Sequence, residues 1–248
     1  MAASIEGKTA LITGGAKRIG RATALALARA GANVVVSYRS SESEARELAQ
    51  EVTTLGVRGF AIQADLSDRR QVESLIERSM ELAGPIRILI NNASAFPKAD
   101  FETVTLDELI SSVTIDAWAP FALGRIFAAQ PEAGHIVNML DTRIVANYDW
   151  SHFAYNAAKH MLGLFTTMMA VRFAPQVAVN AVAPGLILPP EGMPASYLEG
   201  LKDSLPLQRI GDPAFVADAI LFLVTSEFIT GQVIFVDGGR HVREAGSG

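Results

Sequence analysis

Apolar runs and helix-period stretches alternate along almost the whole chain. Short, nearly continuous apolar runs occur at TALIT (9–13), NVVVSY (33–38), RGFAIQAD (58–65), IRILINN (86–92), GHIVNML (134–140), VAVNAVAP (177–184) and QVIFVDGG (232–239). Between them, residues 19–31, 43–56, 69–84, 106–129, 153–173 and 213–225 carry helical patterns. Strands that are apolar at successive positions are covered on both faces, and the helices between them serve as crossovers. The pattern therefore predicts an α/β fold, a doubly wound parallel sheet with helices on both faces. One stretch departs from it. Residues 185–206 hold prolines at 189, 190, 194 and 206 and read as a long irregular excursion after a strand. Such a loop is a candidate substrate lid, taken as 186–206. With no repeat, low-complexity tract or linker in the sequence, one domain over residues 1–248 is expected.

Composition narrows the class. Half of the 248 residues are hydrophobic, enough for one large core. No window of 18 consecutive apolar residues suggests a membrane span, and with a strand-like run beginning by Thr9 no signal peptide is expected. Without cysteine, disulfides and thiolate metal sites are excluded. His135, His152, His160 and His241 lack metal-ligand spacing and read as surface or satisfied core positions, so no metal is expected. The formal charge of −5, with scattered Lys and Arg, argues against a nucleic-acid partner. A cytoplasmic protein is the expectation.

Three local patterns carry chemistry. First, LITGGAKRIGRA follows the first strand and opens the first helix. Gly14, Gly15 and Gly20 allow a tight turn and close approach of a ligand, and a helix N-terminus offers N–H groups to a phosphate. Lys17 and Arg18 oppose the helix dipole there, which a bound anion would explain. Second, the next strand ends in Tyr38, Arg39 and Ser40, with no acid before Glu42. An acid usually holds the ribose 2′-hydroxyl of NAD, so a guanidinium and a hydroxyl at this tip suit the 2′-phosphate of NADP(H). Third, Tyr155 and Lys159 lie one helical turn apart. A nearby ammonium lowers a phenol pKa and would make the tyrosine a usable general acid.

Together with ADLSD, NNAS, VNAVAPG and ITGQVIFVDGG, these motifs resemble the short-chain dehydrogenase/reductase family over nearly the whole chain. The resemblance implies a Rossmann-type domain with hydride transfer from a nicotinamide, here NADPH. It implies that Gly14, Arg18, Ile19 and Gly20 belong to the phosphate turn and that Asp65 and Leu66 border the adenine. Asn92 and Ala93 would flank the ribose, Pro184 and Gly185 shape the nicotinamide pocket, and Ile187 lie near the carboxamide. It also implies a homotetramer that pairs the helices near 106–129 and 153–173. Two positions depart from the family pattern. Asp141 stands where a serine is usual. Asp116 stands where the fourth helix usually has asparagine, which puts the family's water-mediated proton relay in doubt.

Within the family the chain is similar to pteridine reductases, especially bacterial dihydromonapterin/dihydrofolate reductases, through Arg18, NNAS followed by Phe96, Asp141, PGLIL and DGGRHVR. That subgroup implies a pterin or folate substrate touched by Arg18, Ser94 and Phe96, with Asp141 catalytic beside Tyr155 and Lys159. The physics of Asp141 agrees. Ketone reduction builds an alkoxide, which an ionised carboxylate roughly 4 Å away would repel by about 4 kcal/mol at an effective dielectric of about 20. A C=N bond, whose nitrogen must gain a proton, suits a carboxylate beside a phenol. Competing expectations are a carbonyl reductase such as a 3-oxoacyl reductase, and a catalytically silent NADP(H)-binding scaffold or sensor.

Overall fold

The computed structural model describes residues 3–132, 134–145, 148–190, 192–194 and 196–242. Its strands are β1 (Thr9–Ile12), β2 (Asn33–Tyr38), β3 (Gly59–Gln63), β4 (Ile86–Asn91), β5 (His135–Met139), β6 (Ala178–Pro184) and β7 (Val233–Val236). They pair in parallel in the order β3-β2-β1-β4-β5-β6-β7. This is the parallel, doubly wound sheet expected from the strand–helix alternation, in the Rossmann-type order that the family resemblance implies, with the switch point between β1 and β4. Helices α1 (Arg18–Arg29), α2 (Glu42–Thr54), α3 (Arg69–Ala83), α4 (Leu106–Val113), α5 (Ala119–Ala128), α6 (Phe153–Phe173), α7 (Ser196–Glu199) and α8 (Pro213–Val224) complete it.

The apolar runs are buried on both sides because successive strand side chains point to opposite faces. Val34 and Val36 join a layer with Leu25, Leu27, Leu48, Val216 and Ile220 beneath α1, α2 and α8. Leu11, Val35 and Leu89 pack on the other face with Leu75, Ile76, Leu123 and Phe127 of α3 and α5. Removing such a side chain from water contributes roughly 1.5–3 kcal/mol each, so the alternation itself fixes which helix covers which face. A polar ladder crosses the second layer: Asn91 Nδ2 donates to Asn138 Oδ1 at 2.8 Å, and Asn138 Nδ2 to Thr166 Oγ1 at 2.8 Å.

Several helices begin with side-chain caps that the sequence supplies. Asp68 accepts from Arg70 N, Asp212 accepts from Ala214 N, and Thr105 forms a reciprocal capping box with Glu108. The stretch expected as one helix over 106–129 is not uniform. Thr114–Trp118 forms a π-helical turn between α4 and α5. Pro120 explains the interruption: it has no N–H for the carbonyl of Asp116, and the Ala119 N–H instead reaches back five residues to Thr114 O. The segment 186–206 is less irregular than expected. It holds α7 and a 3₁₀ turn at Lys202–Ser204, and Leu198 and Leu205 are buried. Glu191 and Ala195 of this segment, and Arg243 of the DGGRHVR ending, lie outside the described residues.

Candidate active site

The crevice at the switch point is stitched together by Thr13 and Asn92. The backbone N–H groups of Asn92 and Ala93 both donate to Thr13 Oγ1 at 3.0 Å. Asn92 Nδ2 donates to the carbonyls of Thr13 (2.9 Å) and Gly14 (3.0 Å). This closeness demands glycine. Gly14 has φ +60°, and a Cβ there would sit 2.8 Å from Ala93 Cα. A Cβ on Gly20 would meet Asn92 Nδ2 at 2.7 Å and Gly14 O at 2.8 Å. No side chain caps α1, so the N–H groups of its first turn, which includes Ile19 and Gly20, have no intrahelical acceptor. A narrow glycine cradle ending in an uncapped helix fits the pyrophosphate of a dinucleotide.

The two cations of this turn have partners within the chain. Lys17 Nζ lies 2.6 Å from Glu44 Oε1, and Arg18 donates to the carbonyl of Pro189 at 2.7 Å. Protein partners thus stand beside both cations that a bound anion was expected to explain. Arg18 has φ +56°, a left-handed conformation unusual for a side-chain-bearing residue, and it ties the glycine turn to the 186–206 segment. Farther along the crevice Tyr38 is buried, while Arg39 and Ser40 are exposed. Asp65 accepts from Ser67 N (2.9 Å) and Ser67 Oγ (2.7 Å); those hydrogen bonds, with the Arg39 charge, hold its carboxyl below the usual range. Leu66 is buried beside it. Pro184 ends β6, and a Cβ on Gly185 would lie 2.6 Å from Asp237 Cβ. The Ile187 side chain is buried in the core layer beneath α8.

Tyr155, Lys159 and Asp141 converge. The Tyr155 hydroxyl donates to Asp141 Oδ2 at 3.1 Å. Asp141 stands in extended backbone and caps a 3₁₀ turn at Thr142–Ile144, its Oδ1 accepting from Arg143 N at 2.9 Å. It therefore both caps a turn and faces the tyrosine. Lys159 Nζ donates to Met139 O at 2.9 Å and lies 3.3 Å from Asp116 Oδ1. The expected lowering of the Tyr155 pKa by Lys159 is not what the surroundings produce. Burial first, then the Asp141 and Asp116 charges and the hydrogen bond to Asp141, push the phenol well above its ordinary value of 10.0, and the Arg143 charge opposes them.

Of the expected substrate-side residues, Phe96 touches this trio and Ser94 reaches it through Asp116, while Arg18 is held at Pro189. Phe96 meets Tyr155 edge-on, centroids 4.7 Å apart, and stacks on His152 at 3.8 Å. His152 is therefore part of the wall of the site as well as a satisfied side chain, its Nδ1 lying 3.0 Å from Asp149 Oδ2. The exposed Ser94 donates its hydroxyl proton to Asp116 Oδ1. Sequence reading gave no role to Asp237, yet it is buried and accepts from Thr142 Oγ1 (2.6 Å), His241 N (2.7 Å) and Gly239 N (3.0 Å), with His241 Nδ1 at 2.9 Å. It thus braces both Gly185 and the Asp141 turn; its place in VDGG, directly after a strand, was the available signal. Arg143, paired to Asp149 at 2.8 Å, was also missed. A separate cavity of about 360 Å³, lined by Ile187, Leu205, Leu207, Phe215, Phe235 and His241 among others, excludes all three of Tyr155, Lys159 and Asp141.

Residues 14–241 match a family model described as enoyl-(acyl carrier protein) reductase. The chain belongs to the short-chain dehydrogenase/reductase family. It is thereby an oxidoreductase. An uncharacterized oxidoreductase, YohF of Escherichia coli, is 34% identical and covers 94% of this chain and 95% of its own. A 3-oxoacyl-[acyl-carrier-protein] reductase, FabG of Staphylococcus epidermidis, is 31% identical over 95% of this chain and 99% of its own. Among solved structures, FolM alternative dihydrofolate reductase 1 from Brucella suis in complex with NADP superposes with a TM-score of 0.92. It is 30% identical and covers 98% of each chain.

Proposed function

We propose that the protein is an NADPH-dependent reductase of a dihydropterin, such as dihydromonapterin, dihydrobiopterin or dihydrofolate. The observation that carries this reading is the hydrogen bond from the Tyr155 hydroxyl to the Asp141 carboxylate. The likeness to the NADP-bound FolM reductase supports both the cofactor and the substrate class. Gly14, Arg18, Ile19 and Gly20 would receive the pyrophosphate, Tyr38, Arg39 and Ser40 the 2′-phosphate end, and Asp65 and Leu66 the adenine. Asn92 and Ala93 would border the ribose, and Pro184, Gly185 and the Ile187 backbone the nicotinamide. Bound there, the cofactor supplies a hydride to the carbon of a C=N bond.

The chain's own groups do the rest. Tyr155, held protonated by its surroundings, donates a proton to the ring nitrogen. Asp141 accepts an N–H of the substrate and keeps the phenol aimed. Ser94, whose proton is engaged by Asp116, presents lone pairs and so acts as a second acceptor for ring or amino N–H groups. Phe96 offers an apolar ring, and Arg18 stands at the meeting of cofactor turn and substrate loop. A site rich in acceptors matches a heterocycle rich in N–H donors. We further propose a homotetramer formed through the faces of α4–α5 and α6.

The relationship to 3-oxoacyl reductase keeps a second reading in view, the reduction of a ketone; the charge of Asp141 beside a forming alkoxide opposes it. Following NADPH oxidation with dihydropterins, dihydrofolate and a β-ketoacyl ester separates the two. Turnover of a dihydropterin with little on the ketoester is expected. The opposite ranking would replace the proposal with the carbonyl reductase, and no turnover of any substrate would favour the silent NADP(H)-binding scaffold.

A further inference from the structure

Asp116 is fully buried on the π-turn, and groups from two other segments converge on its carboxylate. Lys159 Nζ lies 3.3 Å from Oδ1, the Ser94 hydroxyl donates to the same oxygen, and the Ala95 N–H approaches Oδ2 at 3.4 Å. Lys159 is itself 2% exposed and also donates to Met139 O at 2.9 Å. A buried ion pair is tolerated only when further hydrogen bonds satisfy both partners, and here they do. The consequence falls on Tyr155. Its ring centroid is 5.5 Å from the Lys159 ammonium, but its hydroxyl is given to Asp141. An ammonium already facing a carboxylate at 3.3 Å exerts little net field on a third group, because the two opposite charges offset one another.

We propose that Asp116 is a positioning residue that pins the Lys159 ammonium between its own carboxylate and the Met139 carbonyl, so that Tyr155 works as a proton donor paired with Asp141 and not as a lysine-activated phenolate. Among the described residues, the charged groups facing the phenol include Lys159 on α6, Asp116 on the π-turn, and Asp141 and Arg143 at the 3₁₀ turn, with Arg240 acting on Asp141 and Arg143 behind them. His152, next to Asp149, stacks on Phe96, which in turn meets the Tyr155 ring edge-on. Burial and the two carboxylates hold the proton on, and the Arg143 charge favours its release. This assignment depends on the geometry around the phenol and not on which substrate is reduced.

The test needs no substrate. Tyrosinate absorbance is titrated with pH in the unmodified protein, Tyr155→Phe, Asp116→Asn, Asp116→Glu and the double variant D116N/Y155F. The chain has four tyrosines. The unmodified protein and Tyr155→Phe are expected to superimpose through the range where ordinary tyrosines ionise. Asp116→Asn releases Lys159 and should bring in one tyrosine titrating about one pH unit lower or more, a signal lost again in D116N/Y155F. Asp116→Glu, which keeps the charge, should restore the late titration. A purely structural role would lower Tm without moving any titration. A folded Asp116→Asn with an unchanged curve therefore overturns the proposal. So does an early-titrating tyrosine in the unmodified protein that vanishes in Tyr155→Phe, and this second comparison decides the matter if Asp116→Asn does not fold.

Discussion

Tyr155 sits between two carboxylates and is buried, and the sign of these influences sets what it can do. A phenol held above its ordinary pKa keeps its proton throughout neutral pH, so it is available as an acid and poor as a base. Tyr155→Phe keeps the ring and removes the proton. Turnover should fall by about 10²–10⁴-fold while NADPH affinity, measured by fluorescence titration, stays unchanged; retention of more than roughly a tenth of kcat would assign the proton to another group. Asp141→Ser removes a carboxylate 3.1 Å from that hydroxyl. Reduction of a dihydropterin should drop by about one to three orders of magnitude, and any activity on an activated ketone should hold or rise. Loss of the ketone activity with the pterin activity kept would reverse the role given to Asp141. These two residues and Lys159 were readable from spacing and resemblance. The direction of the phenol shift was not, because it comes first from burial and then from the Asp141 and Asp116 charges, and burial and the approach of Asp116, 39 residues away in sequence, arise only in the fold.

The β1–α1–β2 unit was the most legible element, because glycine at positions 14 and 20 and an apolar strand before them leave little other reading. The structure adds why: the turn is pressed against Ala93 and Asn92, so a side chain at either glycine would collide with backbone or with the Asn92 amide. At the far end of β2, Arg39 and Ser40 stand exposed beyond the buried Tyr38. A charge-assisted hydrogen bond to a 2′-phosphate is worth roughly 1.5–3 kcal/mol, which corresponds to about ten- to a hundredfold preference for NADPH over NADH. Arg39→Asp should reverse that preference in kcat/KM, and equal values for the two cofactors in the unmodified protein would remove the assignment. The helix over 106–129 was readable in extent but not in its ladder. Pro120 was the signal for the π-turn, and periodicity counted over a long apolar stretch conceals a single interior proline.

At the scale of the whole molecule, α6 is apolar on nearly every side. Its inner face packs on β6 and α5 through Leu162, Thr166 and Met169, yet Leu164, Met168 and Val171 remain exposed in the single chain. Ile110 and Trp118, exposed on α4 and the π-turn, extend the apolar surface on the neighbouring elements. Apolar patches of this kind ordinarily meet a partner. For the proposed homotetramer, light scattering should give a four-chain mass, and Leu164→Asp with Val171→Asp should reduce it while leaving the circular dichroism spectrum intact. A monomeric unmodified protein would end the proposal.

By itself the sequence determined the class of the fold. Continuous apolar strands between helical periods admit few arrangements other than a covered parallel sheet, and the observed order β3-β2-β1-β4-β5-β6-β7 is one of those few. It also determined where glycine was unavoidable and which tyrosine, lysine and acid stand near the end of the fifth strand. Tertiary structure alone decided how charge is shared among them. Asp116, Ser94, Lys159, Met139 and Asp141 come from separate segments, and their mutual distances are set by the packing of the π-turn and α6 at the ends of β4 and β5. Electrostatic influence falls with distance in space and not with separation along the chain, so the ionisation of the site could be read only after the chain was folded.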